Sequence, residues 1–255
     1  MPRLFLICAT GRQEDTMLHT RPFIAIIAAA LLLDAGQAAA GKPRGAAYQD
    51  GGEARVGVIL CHGRGQGPRW NVVNPLRKAL HRELGYHTLS LQMPAEKKPA
   101  REYAEDFPRA YETIQAGIEF LRREKGVTTI YLVGHSMGAR MATAFLAAHP
   151  DAPVAGFIGV GIRNRLDWPL DSDENLRSIH IPVLDVYGDR ESGRYRGHRS
   201  DVTHAEERAD MVSDRYTQVL IPGADHQFNY KEKEMVAVVL DWLRGQAARA
   251  AASHP

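Results

Sequence analysis

The pentapeptide Gly134-His135-Ser136-Met137-Gly138 constrains this chain more than any other stretch, because of what flanks it. The apolar run Ile130-Tyr131-Leu132-Val133 leads in, and the helix-forming residues 139–148 lead out. Strand, sharp turn, serine and helix in that order make a nucleophile elbow. The backbone of such a turn is strained, and a Cβ on either side of the bend would collide with the adjoining strand or helix, so glycine is needed at 134 and 138. The turn raises Ser136 Oγ clear of the sheet. Without its flanking elements the same pentapeptide would be an ordinary Gly-rich loop.

Around this turn, strand and helix patterns alternate. Residues 56–61 are a continuous apolar run, as expected of a strand buried on both faces. Val72, Val73, Leu76, Leu80 and Leu84 recur at helical spacing until Gly85, predicting a helix over 72–84. A strand at 88–91 follows, then a long helix over 103–123 carrying Ile114, Ile118 and Leu121, ended by Gly126. Beyond the elbow, 154–160, 182–187 and 216–221 read as strands and a helix falls near 201–212. The last helix, 231–244, presents Met235, Val238, Val239 and Trp242 on one face and is stopped by Gly245. This order predicts an α/β fold: a three-layer, doubly wound, mostly parallel sheet of about six strands with right-handed crossovers. One domain over 41–246 accounts for the length, with 247–255 as a frayed tail.

Residues 1–40 stand apart. Leu18-His19-Thr20-Arg21 precedes an apolar run of 12 residues, 22–33, and small residues end at Ala38-Ala39-Ala40. A basic start, an apolar centre and a small-residue cleavage site predict a signal peptide cut near Ala40, hence a periplasmic or secreted protein. The run is short of the ~20 residues a spanning helix needs, so a membrane anchor is the weaker reading and no stable span is expected in the mature form. Glu14 and Asp15 are out of place in a signal peptide, which suggests that Met17 is the true start. The formal charge is +2, and losing residues 1–40 removes three basic and three acidic residues, leaving that balance unchanged. Such neutrality argues against nucleic acid as a partner. Cys61 would then be the single thiol, compatible with an oxidising compartment if its strand is buried.

A serine hydroxyl needs a base within hydrogen-bond reach and an acid to orient that base. His226 is the candidate base, since Pro222-Gly223-Ala224-Asp225-His226 lies between the last strand and the last helix. Loops at the carboxyl ends of parallel strands converge on one rim, where Ser136 also sits. The run Gly188-Asp189-Arg190-Glu191 after the strand at 182–187 offers two carboxylates, Asp189 and Glu191, on the same rim, whereas Asp185 lies within the strand and suits structural hydrogen bonds. One oxyanion donor is the backbone N–H of Met137, directly after the nucleophile. The loop His62-Gly63-Arg64-Gly65 could alternatively bind a dinucleotide, but Pro68 stands where a third glycine is required and no acid ends the strand at 88–91.

At these residues the chain resembles the α/β-hydrolase superfamily, with matches at residues 134–138, 62–65, 188–191 and 225–226 and an overall span of about 55–245. The resemblance implies a serine hydrolase acting without metal or cofactor on a small to medium acyl substrate through an acyl-enzyme. It implies the N–H of Arg64 as the second oxyanion donor. It also favours Glu191 over Asp189 as the acid, because the superfamily commonly places that residue three positions after a strand-ending glycine. Only residues 161–181 occupy the place of a lid, so little cap is expected; Trp168 would line a small apolar wall or merely anchor its loop. Arg190, Arg194, Arg196 and Arg199 form either a solvated basic face or a hold for an anionic substrate group, Arg190 being the nearest candidate. A protein that kept this fold for binding and lost the reaction is the rival reading.

Overall fold

The computed structural model describes residues 41–94, 96–164, 169–190 and 200–252. Seven strands form one sheet: β1 (Ala47–Gln49), β2 (Val56–Cys61), β3 (His87–Leu91), β4 (Thr129–His135), β5 (Gly156–Val160), β6 (Val183–Gly188) and β7 (Tyr216–Ile221), in the spatial order β1-β3-β2-β4-β5-β6-β7. All neighbours are parallel except β1, which runs antiparallel to β3. The sequence-based count of about six strands missed β1, whose three residues are too short to show an alternation. Tyr48 ties this edge strand down: its ring packs edge-on against Phe120 and its hydroxyl donates to His87 Nδ1 at 2.7 Å.

Alternation along the central strands divides the interior into two layers. Ile59, Leu89 and Leu132 face α2 (Phe107–Glu119) and α3 (Met137–Ala148), packing with Phe107, Ile114 and Phe145. Val58, Leu60 and Val133 face the other way, against Leu76 and Leu80 of α1 (Val73–Leu84) and Val239 and Leu243 of α6 (Glu232–Ala252). Because successive side chains of a strand point to opposite faces, a strand covered on both sides has to be apolar at every position, as β2 is. Cys61 is buried at the end of β2, and burial pushes its thiol pKa up.

Two helices differ from the sequence reading. The long helix expected over 103–123 is a 3₁₀ segment (Ala100–Asp106), then α2, then a π-helical turn (Phe120–Glu124). Pro108 falls in the first turn of α2, where a missing N–H costs nothing. Gly245 does not stop α6, which continues to Ala252, so the tail expected to fray from 247 is helical that far. A glycine inside a helix costs ~1 kcal/mol relative to alanine, and the alanine-rich residues that follow offset it. Between β5 and β6 lies α4 (Ser172–Arg177), capped by the Asp171 carboxylate, which accepts from the N–H groups of Asp173 and Glu174. Between β6 and β7, α5 (Asp201–Glu206) starts behind a Ser200 cap.

Among the described residues, no helix is long and apolar enough to cross a membrane.

Candidate active site

Ser136 joins β4 to α3 with φ 53° and ψ −114°. That positive φ is unusual for a residue with a side chain and stores ~1–3 kcal/mol of strain. Its neighbours explain why both flanking residues are glycine. A Cβ on Gly134 would lie 2.5 Å from Ala139 Cα, and one on Gly138 would lie 2.2 Å from the Cys61 carbonyl oxygen. Ser136 N–H donates to the Val160 carbonyl at 3.2 Å, tying the bend to the end of β5.

His226, in the loop after β7, reaches this serine. Its Nε2 lies 2.9 Å from Ser136 Oγ, and its Nδ1 lies 2.9 and 3.1 Å from the two oxygens of Asp201. An ionised carboxylate can only accept, so Nδ1 carries the proton and donates to Asp201, leaving Nε2 to accept from the serine hydroxyl. Both side chains are 3% exposed. Burial alone would push the Asp201 carboxyl up, but the hydrogen bond from His226 and the Arg163 guanidinium outweigh it and hold the group well below its ordinary value. Gly161, at φ 59°, makes room for the pair: a Cβ there would meet His226 Nδ1 at 3.0 Å and Asp201 Oδ2 at 3.2 Å.

Among the described residues, the acid that meets His226 is Asp201, which the sequence reading did not name. Asp189 Oδ1 accepts from Gly223 N–H at 2.6 Å, and Arg190 N–H donates to the Ala224 carbonyl at 2.9 Å. These bonds fasten residues 189–190 to the turn that carries His226, so Asp189 shapes the turn from outside and does not meet the imidazole. Glu191 lies outside the described residues. Asp185 has the structural role expected of it: its Oδ2 accepts from Arg208, Tyr216 and Gln218 in the buried layer between β6 and β7.

The loop after β2 approaches from the opposite side. A Cβ on Gly63 would lie 3.2 Å from Ser136 Cβ, so the backbone leading into Arg64 passes directly beside Ser136. Met93 N–H donates to His62 Nε2 at 3.1 Å, which leaves the His62 Nδ1–H to donate to the Gly63 carbonyl at 3.0 Å. Burial pushes the His62 pKa down, in keeping with this neutral form. Gln66 braces the same loop: it accepts from Gly63 N–H at 3.2 Å and donates through Nε2 to Gln227 Oε1 at 2.6 Å. Met137 is the first residue of α3, where a helix leaves its N–H groups without an intrahelical acceptor.

The sequence profile described as the alpha/beta hydrolase fold matches residues 57–181. Est1E from Butyrivibrio proteoclasticus, solved with ferulic acid bound, superposes with a TM-score of 0.60 at 18% identity, covering 80% of this chain and 95% of that one. An α/β serine hydrolase without lid from Xanthomonas campestris gives 0.58 at 20% identity, covering 80% and 91%. An α/β serine hydrolase homologue from Coxiella burnetii gives 0.60 at 22% identity, covering 78% and 90%. The chain has the α/β-hydrolase fold. No functionally curated protein matches it.

In this α/β-hydrolase fold the elbow, His226 and the Gly63–Arg64 loop meet at the carboxyl end of the sheet. Trp168 lies outside the described residues, and Arg190 is exposed beyond β6. The sequence reading missed three contributors besides Asp201. Arg163 donates from Nε to Asp201 Oδ1 at 2.6 Å. His135, fully buried beneath His226, donates from Nε2 to the His226 carbonyl at 2.9 Å, with the two rings 5.2 Å apart. Burial pushes its pKa down to about 3, so it is neutral. Asp225 accepts from the N–H groups of Gln227 and Asn229 at 3.0 and 3.1 Å, which closes the loop around His226. Among the described residues, no cluster of His, Cys, Asp or Glu is arranged to hold a metal ion.

Proposed function

We propose that the protein is a serine hydrolase that cleaves an ester or related acyl bond of a small to medium substrate through an acyl-enzyme. The observation that carries this reading is the continuous line from Asp201 through His226 to Ser136, with both hydrogen bonds at 2.9 Å.

In the first half-reaction His226 Nε2 takes the hydroxyl proton as Ser136 Oγ bonds to the substrate carbonyl carbon. The carbonyl π pair moves onto oxygen, where the N–H groups of Met137 and Arg64 receive it. Each such donor contributes roughly 2.7–4 kcal/mol in an oxyanion hole. Protonated His226 then gives its proton to the leaving oxygen as the carbon–oxygen bond breaks. Water repeats the sequence on the acyl-serine: His226 takes the water proton, the tetrahedral intermediate forms and collapses, and Ser136 Oγ regains the proton. Asp201 holds the Nδ1–H tautomer throughout and stabilises the imidazolium.

The short crossover between β5 and β6, with only a six-residue helix among its described residues, favours small to medium substrates over long chains. Incubation with p-nitrophenyl butyrate, followed by acid quench and intact-mass analysis, tests the reading. The expected result is turnover and a butyryl adduct on Ser136; turnover that persists in Ser136→Ala would overturn it. We also propose, from the composition of residues 18–40, that the protein acts after export.

A further inference from the structure

A closed ring of contacts runs through the site and includes two arginines that the reaction as described does not use. Ser136 opens α3, and Arg140, one turn along the same helix, is 8% exposed. Its Nε donates to the Arg163 carbonyl at 2.7 Å and an Nη to the Asn164 carbonyl at 3.3 Å. Arg163 in turn donates from Nε to Asp201 at 2.6 Å, with the guanidinium-bearing side chain 15% exposed. Asp201 meets His226, and His226 meets Ser136. The helix that presents the nucleophile thus also fixes the backbone from which the acid's second partner extends.

We propose that Arg163 is a positioning residue that orients Asp201 and, through its fixed positive charge, keeps His226 less basic than an unshared Asp201 would make it. The inference rests on the serine-hydrolase reading. An aspartate facing an imidazole alone attracts the imidazolium with its whole charge and raises the base's pKa. Here the same carboxylate is shared with a guanidinium that is always charged. Among the described residues, the charged and titratable groups around His226 come from several elements: Asp201 from α5, Arg163 from the loop after β5, neutral His135 from the end of β4, and Asp225 from its own loop. Among these described groups Arg163 is the permanent cation, and Asp225 is occupied by the Gln227 and Asn229 N–H groups. Its effect is to leave His226 unprotonated, and able to accept the serine proton, to lower pH. A lone arginine on the acid would also hold the carboxylate in plane when His226 releases its proton to the leaving group.

The test is the pH dependence of the rate at which a fluorophosphonate labels Ser136, measured for wild type, Arg163→Gln and Arg163→Lys. The midpoint of the acid limb depends on the base and not on the fraction of folded protein, so a merely structural role would lower amplitude without moving it. Glutamine keeps a donor and removes the charge; its midpoint is expected about one pH unit above wild type, so that labelling below the limb falls about tenfold relative to the plateau. Lysine keeps the charge, and its midpoint is expected close to wild type. Where the glutamine variant does not fold, Arg163→Met is read in its place with the same expected direction. Equal midpoints in wild type and the uncharged variants, or a lysine variant displaced as far as the glutamine one, overturn the inference alone. Absence of labelling in folded wild type at every pH overturns the hydrolase reading and the inference with it.

Discussion

Asp201→Asn is the substitution that most sharply separates the structural assignment of the acid from the two sequence-based candidates. Asp201 Oδ2 accepts the His226 Nδ1–H at 2.9 Å, and Oδ1 accepts from Arg163 at 2.6 Å. An asparagine can offer one acceptor and one NH₂ group. With its oxygen turned to Arg163, the NH₂ faces Nδ1 and stabilises the tautomer protonated on Nε2, which cannot take the serine proton. In the triad template this error of tautomer costs ~10⁴ in kcat with the geometry preserved. The neutral amide also leaves Arg163 without its counter-charge, and breaking a buried pair costs about 3–5 kcal/mol, toward the low end here because Arg163 keeps some contact with solvent. Steady-state ester hydrolysis per titrated active site, alongside thermal unfolding, separates the two effects. Asp189→Asn is the companion: its amide oxygen still accepts from Gly223 N–H at the exposed turn, so activity within a few-fold of wild type is expected. A nearly normal Asp201→Asn beside a crippled Asp189→Asn would refute the reasoning.

Further outcomes follow from the same geometry. Gly161→Ala places a Cβ against the His226–Asp201 pair at a φ of 59°; displacement of the base by up to ~1 Å is expected to cost on the order of 10²-fold in kcat, while the unfolding free energy drops by only ~1 kcal/mol, and an unchanged kcat would contradict the crowding. His135 has its pKa depressed to about 3 from an ordinary 6.5, so between those values the unfolded chain binds the extra proton and stability falls as pH falls. The slope is about 1.4 kcal/mol per pH unit in that window, and His135→Gln, which retains a donor for the His226 carbonyl, should flatten the fall in Tm between pH 6.5 and 5; parallel curves for variant and wild type would exclude it. Expression in a Gram-negative host, followed by N-terminal sequencing of the periplasmic fraction, should give a chain beginning near Gly41, and an intact Met1 terminus in the cytoplasm would end the export proposal.

The parts of the site legible in the sequence are those set by short-range necessity. A serine bent out of a parallel sheet requires small residues on both sides and a strand and helix adjoining, all within residues 129–148, so the elbow can be read locally. His226 was legible for a topological reason: strands that end on one rim deliver their loops there. The acid was not, because that rule specifies a rim and leaves the position along a loop undetermined. Asp201 follows Ser200 at the start of α5, where an acidic residue in the first turn is what helix capping and the helix dipole would call for anyway. Asp189 and Glu191, placed just past a strand-ending glycine, looked more apt, and nothing in the sequence reveals that Asp189 is already engaged by the Gly223 N–H. Arg163 was hidden for a similar reason, since a loop arginine acquires meaning only from the carboxylate folded against it. The missed strand β1 and the misplaced end at Gly245 reflect a strand too short for periodicity and a glycine outweighed by its alanine-rich neighbours.

Mass-spectrometric mapping of fluorophosphonate adducts on wild type, His226→Gln and Asp201→Asn tests most directly whether an activated alcohol exists at residue 136. A single phosphonylated site on the peptide containing Ser136 is expected in wild type, formed at least 10³-fold more slowly in either variant. Adducts elsewhere, or labelling of Ser136 that proceeds equally fast without His226, would contradict the account.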